Sequence, residues 1–382
     1  MATSKERAVV VVSVVIPAHN AALHLDECLE SVAGQSGWHR LIDEIEISVY
    51  NDGSVDGTAE ILARWERRIN MISSGGGEVE WPGVSMVVGG ERRSRGAGYA
   101  RNRAVAQSKG TFLCTVDADD VCEPGRVAAQ MEACLDQGPS GLIVGSRFVR
   151  FPDPNAARHY TAWCNGLTQD QLMLQQYREV TIIQPTWFMH RTVFEAVGGY
   201  DEEDAAMTAR EDREPLPDDL LFFHRHLDAP SARLFCVKRP LVRYRHHGVE
   251  SGSNVSARIS RKTLLRVRLR AFERRVLSLN KWKTFSIWGA GRDGKNFLTA
   301  LNPTFQQRVR AFCDVDPRKV DRGEYYNPDL RLRVPIVHFT AVEAPFVCCV
   351  ALGRTEGAFE RNVASIARAR GLVEGVDFYF FN

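Results

Sequence analysis

Four short segments within the first 120 residues carry side chains suited to handling a charged leaving group. Pro17-Ala18-His19-Asn20 follows a run of β-branched residues, and Asp52-Gly53-Ser54 closes a second such run. Gly96-Ala97-Gly98-Tyr99-Ala100-Arg101-Asn102 opens a helical stretch, and Asp117-Ala118-Asp119-Asp120 ends a further apolar run. Asp117 and Asp119 alternate along an extended segment, so their carboxylates project to the same side. Mg²⁺ or Mn²⁺ is held by one or two such carboxylates while keeping water and phosphate oxygens as its other ligands. Bridging two phosphates, the ion acts as a Lewis acid as a diphosphate departs. Taken alone, Asp-x-Asp is an ordinary solvated strand end and Asp-Gly-Ser an ordinary turn. Their joint occurrence is what points to chemistry.

The elements that must position these residues can be read from periodicity. Val9–Ile16 is a continuous β-branched run, the pattern of a strand buried on both faces. Asn20 reads as a helix cap before Leu23, Leu25, Cys28, Leu29 and Val32, which recur at helical spacing. Glu44–Tyr50, Ser85–Val88 and Thr111–Val116 read as further strands, with helices over Thr58–Ile69 and Ala97–Ser108. Strands alternating with helices predict a doubly wound α/β domain with right-handed crossovers. Ligands of such sheets bind at the carboxyl ends of the strands, where Pro17, Asp52 and Asp117 fall. Residues 70–83 and the acidic 201–217 segment read as loops.

The four motifs, in this order, resemble family 2 glycosyltransferases of the GT-A fold over about residues 10–250, which implies a doubly wound mixed sheet. The resemblance implies a metal-dependent, inverting transfer of a sugar from a UDP-sugar to a hydroxyl group. It makes Asp119 the direct ligand of a divalent metal, with Asp117 reaching ribose or the metal through water. Asp52 would accept hydrogen bonds from uracil or ribose, and Pro17, Ala18 and Asn20 would line the base. Arg101 would lie near the pyrophosphate or orient the acidic motif. In Pro217-Asp218-Asp219-Leu220, Asp219 corresponds to the catalytic base and Asp218 to a helix-capping or base-sharing partner. General-base help of this kind is worth ~10²–10⁴-fold. Tyr244-Arg245-His246-His247 resembles the segment that closes the donor site, with Arg245 on the pyrophosphate and His247 on the metal or diphosphate. Two adjacent histidines also suit a solvated loop. Thr186 and Trp187 fall on the acceptor side, where Trp187 serves equally as a platform or as plain core.

Beyond residue 255 the character changes. Residues 256–283 hold ten lysines and arginines and a single acid, Glu273. Leu264, Leu265, Val267, Leu269, Phe272, Val276 and Leu277 give this stretch one apolar face. It reads as a linking helix between a GT-A domain at 8–255 and a smaller domain at 284–382. Its cations either snorkel over the core or form a ridge for nucleic-acid phosphates. Gly289-Ala290-Gly291-Arg292-Asp293-Gly294 follows a strand and opens a helix, and Phe312-Cys313-Asp314 supplies a second strand ending in an acid. This predicts a Rossmann-like unit, used for packing or for a phosphate-bearing partner.

The segments Ala104–Ser108, Pro185–Phe188, Asp219–Phe223, Trp288–Gly291, Phe312–Asp316 and Gly357–Glu360 extend the resemblance to queuosine-tRNA galactosyltransferases, a group also labelled β-1,3-N-acetylglucosaminyltransferase-like. This implies galactose as the sugar and tRNA as the acceptor. The alternatives are N-acetylglucosaminyl transfer to a galactosyl glycan, or a non-catalytic RNA- or partner-binding module. The formal charge of +2 over 382 residues makes any basic surface local, and 44% hydrophobic content excludes disorder. The Ala8–Ile16 run is too short to span a bilayer. Nine scattered cysteines with no CxxC favour a reducing compartment. Together these features predict a cytoplasmic protein without a membrane segment.

Overall fold

The computed structural model describes residues 9–70, 80–202, 214–247 and 258–381. It forms two compact units: residues 1–165 with 182–259, and residues 166–181 with 260–382. Most of the acidic 201–217 segment, most of 70–83 and the start of the basic stretch at Ser256 lie outside the described residues.

The first unit follows the order β1 (Val11–Ala18), α1 (Leu25–Ala33), β2 (Glu44–Asp52), α2 (Thr58–Asn70), β3 (Val84–Glu91), α3 (Ala97–Gln107), β4 (Phe112–Thr115), β5 (Val121–Cys122), α4 (Arg126–Gln137), β6 (Leu142–Phe151) and α5 (Arg158–Gly166). After α6 (Gln169–Leu174), which falls in the second unit, it resumes with β7 (Phe188–His190), α7 (Arg191–Val197), α8 (Asp218–Asp228) and β8 (Arg233–Arg245). The sheet runs β3-β2-β1-β4-β7-β6-β8-β5. β3, β2, β1 and β4 are mutually parallel, and β7 enters antiparallel between β4 and β6.

The β-branched run reads as it does because helices and strands cover both its faces; every β1 residue from Val11 to Ile16 is buried. Ala18 pairs with Asn51, and Val15 with Thr115, so the Pro17 turn, Asp52 and Asp117 leave the sheet at one edge. That edge is the crevice where strand order reverses, between β1 and β4. Asn20 does not cap α1. The helix begins five residues later, with His24 at its N-cap, and Asn20 sits at φ 49° in the left-handed region.

In the second unit α9 (Arg261–Phe272) leads to β9 (Phe285–Trp288), α10 (Arg292–Ala300), α11 (Pro303–Gln306), β10 (Val309–Asp314), α12 (Pro317–Val320), β11 (Glu324–Asn327), β12 (Leu332–His338), β13 (Phe346–Cys349), α13 (Ala358–Arg370) and β14 (Phe378–Phe381). Its sheet is β11-β12-β10-β9-β13-β14, parallel except for the edge strand β11. The basic helix belongs to this unit, as does the excursion at 166–181. Tyr177 packs edge-on to Phe272 at 4.9 Å, Arg268 donates to Glu179 at 2.6 Å, and Arg178 pairs with Glu360 at 2.5 Å. Local periodicity carries no sign of which sheet such an excursion joins. At the glycine-rich turn, Asp314 accepts from the Ala290 amide and the Lys319 ammonium, both at 2.8 Å. The acid at the end of β10 is thus engaged within the unit.

No helix among the described residues is long and apolar enough to cross a membrane. No disulfide joins the cysteines there, and eight of the nine are buried.

In α8, Leu220, Phe222, Phe223, His224, His226 and Leu227 are buried. Burial pushes the His226 imidazole down to about 4 from its ordinary 6.5. The unfolded chain therefore takes up a proton that the fold refuses between those values. Stability from this residue is full above pH 6.5 and lost as pH falls towards 4, by about 3 kcal/mol. In urea titrations at several pH values, His226→Leu is expected to flatten the fall in midpoint across this window; an unchanged slope would contradict the assignment.

Candidate active site

Asp52 ends β2, and its carboxylate is enclosed. It accepts from Ser94 Oγ at 2.7 Å, the Arg95 amide at 2.8 Å and the Gly96 amide at 2.9 Å. Gly53 makes this approach possible: it sits at φ +63°, and a Cβ there would lie 2.5 Å from the Arg93 carbonyl carbon and the Ser94 nitrogen. The structure therefore uses Asp52 to anchor the loop that feeds α3, where the sequence suggested a contact to uracil or ribose. The neighbouring turn is locked to it. His19 Nδ1 lies 2.6 Å from the Asp52 carbonyl, and the Val55 amide donates to Asn20 Oδ1 at 2.9 Å. Of the residues expected to line a base, Ala18 is core, Pro17 is half-buried and Asn20 is exposed.

Arg101 projects from α3 and is almost fully buried. Its Nη2 donates to Asp117 at 2.8 Å and its Nη1 to Asp218 at 2.7 Å. The guanidinium thus joins the end of β4 to the start of α8, and of the two roles read from sequence it performs the orienting one. Burial alone would depress its pKa; the charges of Asp218 and Asp117 outweigh that and hold it above the ordinary value. Gly98 lets α8 come this close, since a Cβ there would stand 2.6 Å from the Asp201 carbonyl oxygen and 3.2 Å from Asp218 Oδ2.

The acidic turn is crowded with like charge. Burial raises the Asp117 pKa, opposed by Arg101 and reinforced by Asp119. Asp120 is fully buried and pushed well up, first by burial and then by Asp119 and Asp117. Its Oδ1 accepts the Arg245 amide at 2.7 Å, while its Oδ2 has no hydrogen-bond partner among the described residues. Asp119 Oδ2 meets His247 Nε2 at 2.5 Å, and this bond raises the imidazole pKa. Arg245 Nε donates to the Asp119 carbonyl at 2.7 Å and Nη2 to Glu27 at 2.5 Å, with the guanidinium over Phe151. It clamps the turn to α1; the pyrophosphate contact expected for it does not use a spare fork. His24 stands beside His247, with ring centroids 5.8 Å apart. Glu27, His24 and Asp120 received no role from sequence. Asp120 lay in the quoted motif, but the other two carry no local signal.

Asp218 and Asp219 form the first turn of α8. Asp218 Oδ1 accepts the Asp219 amide at 3.0 Å, and Asp219 Oδ1 accepts the Leu220 amide at 2.7 Å. Trp187 and Thr186 are not at a surface. Trp187 is fully buried, packs against Phe222 and Phe223, and donates to the Ile182 carbonyl at 2.8 Å. Thr186 is equally buried and donates to the Ile183 carbonyl at 2.7 Å. Neither has a face to offer an acceptor, and their acceptor role is withdrawn.

Among the described residues no three His, Cys, Asp or Glu side chains stand together as a ready metal cage. Of the three ligands read from sequence, Asp119 and His247 touch, while Asp117 is turned to Arg101. A divalent ion that shares its shell with a diphosphate needs only one or two carboxylates, not a cage. The partnerless Asp120 oxygen and the mutual repulsion of Asp117, Asp119 and Asp120 mark a turn with negative charge in excess, which fits such an ion.

Residues 13–198 match the family described as glycosyl transferase family 2. The match covers just under half of the chain and lies mostly within the first unit. The match takes in the three glycine- and aspartate-bearing motifs and Arg101, and ends before Asp218, Asp219, Arg245 and His247. A putative glycosyltransferase of Bacillus subtilis, EpsH, is 25% identical over 251 residues, covering 62% of this chain and 61% of that protein. Chondroitin synthase of Escherichia coli is 30% identical over 129 residues, 33% of this chain and 15% of its own length. The chain therefore spans less than two thirds of these relatives. A crystal structure of S. aureus TarS 1–349 in complex with UDP-GlcNAc matches 78% of this chain and 81% of its own, with TM-score 0.44 and 15% identity.

Removing the Arg101 cation strands two inward-facing carboxylates. Arg101→Leu is expected to cost about 3–5 kcal/mol in chemical denaturation. Arg101→Lys should recover little of it, because one ammonium cannot reproduce a fork that holds two partners. A loss below 1 kcal/mol for Arg101→Leu would show that the bridge does not hold the site together.

Proposed function

We propose that the chain transfers a glycosyl group from a nucleotide sugar to a hydroxyl group, with inversion at the anomeric carbon. The observation that carries this is the Arg101 bridge, which ties the acidic Asp117–Asp120 turn to the Asp218-Asp219 pair within a family 2 domain.

The two carboxylates of that pair are not equivalent. Asp218 Oδ2 takes a charge-assisted hydrogen bond from Arg101 and Oδ1 takes the Asp219 amide, so Asp218 serves to position the turn. Asp219 is half-exposed and is the member able to receive a proton from an incoming hydroxyl. As the acceptor oxygen attacks the anomeric carbon, the new C–O bond forms, the bond to the diphosphate breaks, and the diphosphate leaves with the electron pair. Asp219 takes the hydroxyl proton. Asp119 and His247, with Asp117 behind them, would hold Mg²⁺ or Mn²⁺. When bound, that ion neutralises the departing diphosphate as a Lewis acid. Arg245 and Glu27 keep the Asp119 backbone fixed while this happens, and the Asp52 anchor fixes the start of α3, which carries Arg101.

UDP-galactose as donor and queuosine-bearing tRNA as acceptor are the finer reading, supported by the resemblance of the tail motifs and by the basic stretch at 256–283. A saccharide hydroxyl is the second reading, favoured by the similarity to chondroitin synthase over 129 residues. UDP-galactose and UDP-N-acetylglucosamine offered in turn, with queuosine tRNA or a galactosyl oligosaccharide, separate the two by product mass. Galactosylated tRNA nucleoside is the expected product, and transfer confined to the oligosaccharide would replace the first reading with the second.

Asp219→Asn should lower kcat by about 10²–10⁴ while leaving donor KM near wild type. A chelator should abolish turnover, and added Mn²⁺ should restore it. Full activity in Asp219→Asn would remove Asp219 from the chemistry.

A further inference from the structure

The second unit concentrates positive charge along one helix face. On α9, Lys262, Arg266 and Arg270 are exposed and recur every four residues, so they stack on a single side, with Arg261 beside them. Among the described residues, none of these four has a carboxylate within ion-pair distance. Elsewhere in the stretch, Arg268 pairs with Glu179 and Lys281 with Asp377, and its one acid, Glu273, accepts from the Asn302 amide. Like charges at this spacing repel one another and weaken a helix. The chain as a whole is nearly neutral at +2, so this is a local concentration of charge.

We propose that this face of α9 binds the phosphate backbone of a structured RNA. Three of the four cations are arginines, whose planar forks match phosphate oxygens in pairs. Lys262, Arg266 and Arg270 follow one another at about 6 Å, the rise of four helical residues. A nucleic-acid strand, with one charge for about every 3.4 Å of axis, is dense enough to meet each of them. A lipid surface suits the helix poorly, because its apolar side is consumed: Leu269, Ala271 and Phe272 lie in the core of the unit with Trp282 and Phe297. The exposed face carries no aromatic side chain for stacking unpaired bases, so backbone contact to folded RNA is the mode that fits. The choice of RNA as the polyanion rests on the tRNA reading of the proposed function; the charged face itself is independent of which hydroxyl receives the sugar.

The test uses the full chain and three probes: a tRNA transcript, heparin, and vesicles containing anionic phospholipid. Binding is followed by fluorescence anisotropy or co-sedimentation between 50 and 300 mM salt. The wild type should bind the transcript. In the Lys262→Gln/Arg266→Gln/Arg270→Gln variant, the slope of log affinity against log salt should flatten by about 2–3, and affinity at low salt should fall at least tenfold. Arg322→Gln/Arg368→Gln, which removes two exposed cations elsewhere in the unit, should change neither. Donor hydrolysis in the absence of acceptor should be equal in wild type and variant. If hydrolysis is absent in both while the RNA result holds, the transferase reading fails and the surface stands. Equal RNA affinity and slope in the triple variant, or loss of vesicle or heparin binding without loss of RNA binding, would overturn the proposal.

Discussion

The site depends on one buried guanidinium. Arg101 reaches Asp117, 16 residues away, with one nitrogen and Asp218, 117 residues away, with another. Buried ion pairs add little net stability, because desolvation offsets most of the attraction, yet breaking one is costly. What such a contact supplies is specificity of arrangement. Here it fixes the relation between the strand end that carries the acidic turn and the helix that carries the proposed base. The close approach has its own steric condition at Gly98, where a side chain would collide with the Asp201 carbonyl.

Around that bridge the fold tolerates an electrostatic imbalance. Asp117, Asp119 and Asp120 crowd together, and burial with mutual repulsion raises the first and the last. The backbone is held against this repulsion from the other side by Arg245, through the Asp119 carbonyl and Glu27. Perturbed, strained groups of this sort gather at functional sites, since a stable core has no use for them. The orphaned Asp120 oxygen belongs to the same pattern.

The strands and the acidic motif were legible because their signals are local. A β-branched run such as Val11–Ile16 has few other fates, and Asp-Ala-Asp-Asp at a strand end drew its meaning from the three other motifs that precede it in the same domain. What was not legible is the set of contacts that some of these residues make within the fold: Asp52 holds the 94–96 loop, Arg245 holds Glu27 and Trp187 packs on Phe222, all partners distant in sequence, while Thr186 turns to the nearby Ile183 carbonyl. Asn20 looked like a cap because helix starts favour such residues, while its side chain instead receives the Val55 amide across the sheet edge. The 166–181 excursion was invisible for a related reason. Local sequence does not state on which core a segment packs.

The adjacent carboxylates at the start of α8 show how an arrangement assigns roles that sequence leaves ambiguous. Two aspartates in the same helical turn differ little in intrinsic chemistry. Once Arg101 occupies one oxygen of Asp218 and the Asp219 amide the other, that carboxylate has both oxygens committed to protein donors. Asp219 sits one residue on, at the helix N-terminus, where the macrodipole favours an anion. The same helix then turns its apolar side inward through Phe222 and Phe223 against Trp187, so the proposed base cannot rotate away without disrupting the core. The buried Trp187 thereby holds the helix that carries Asp219.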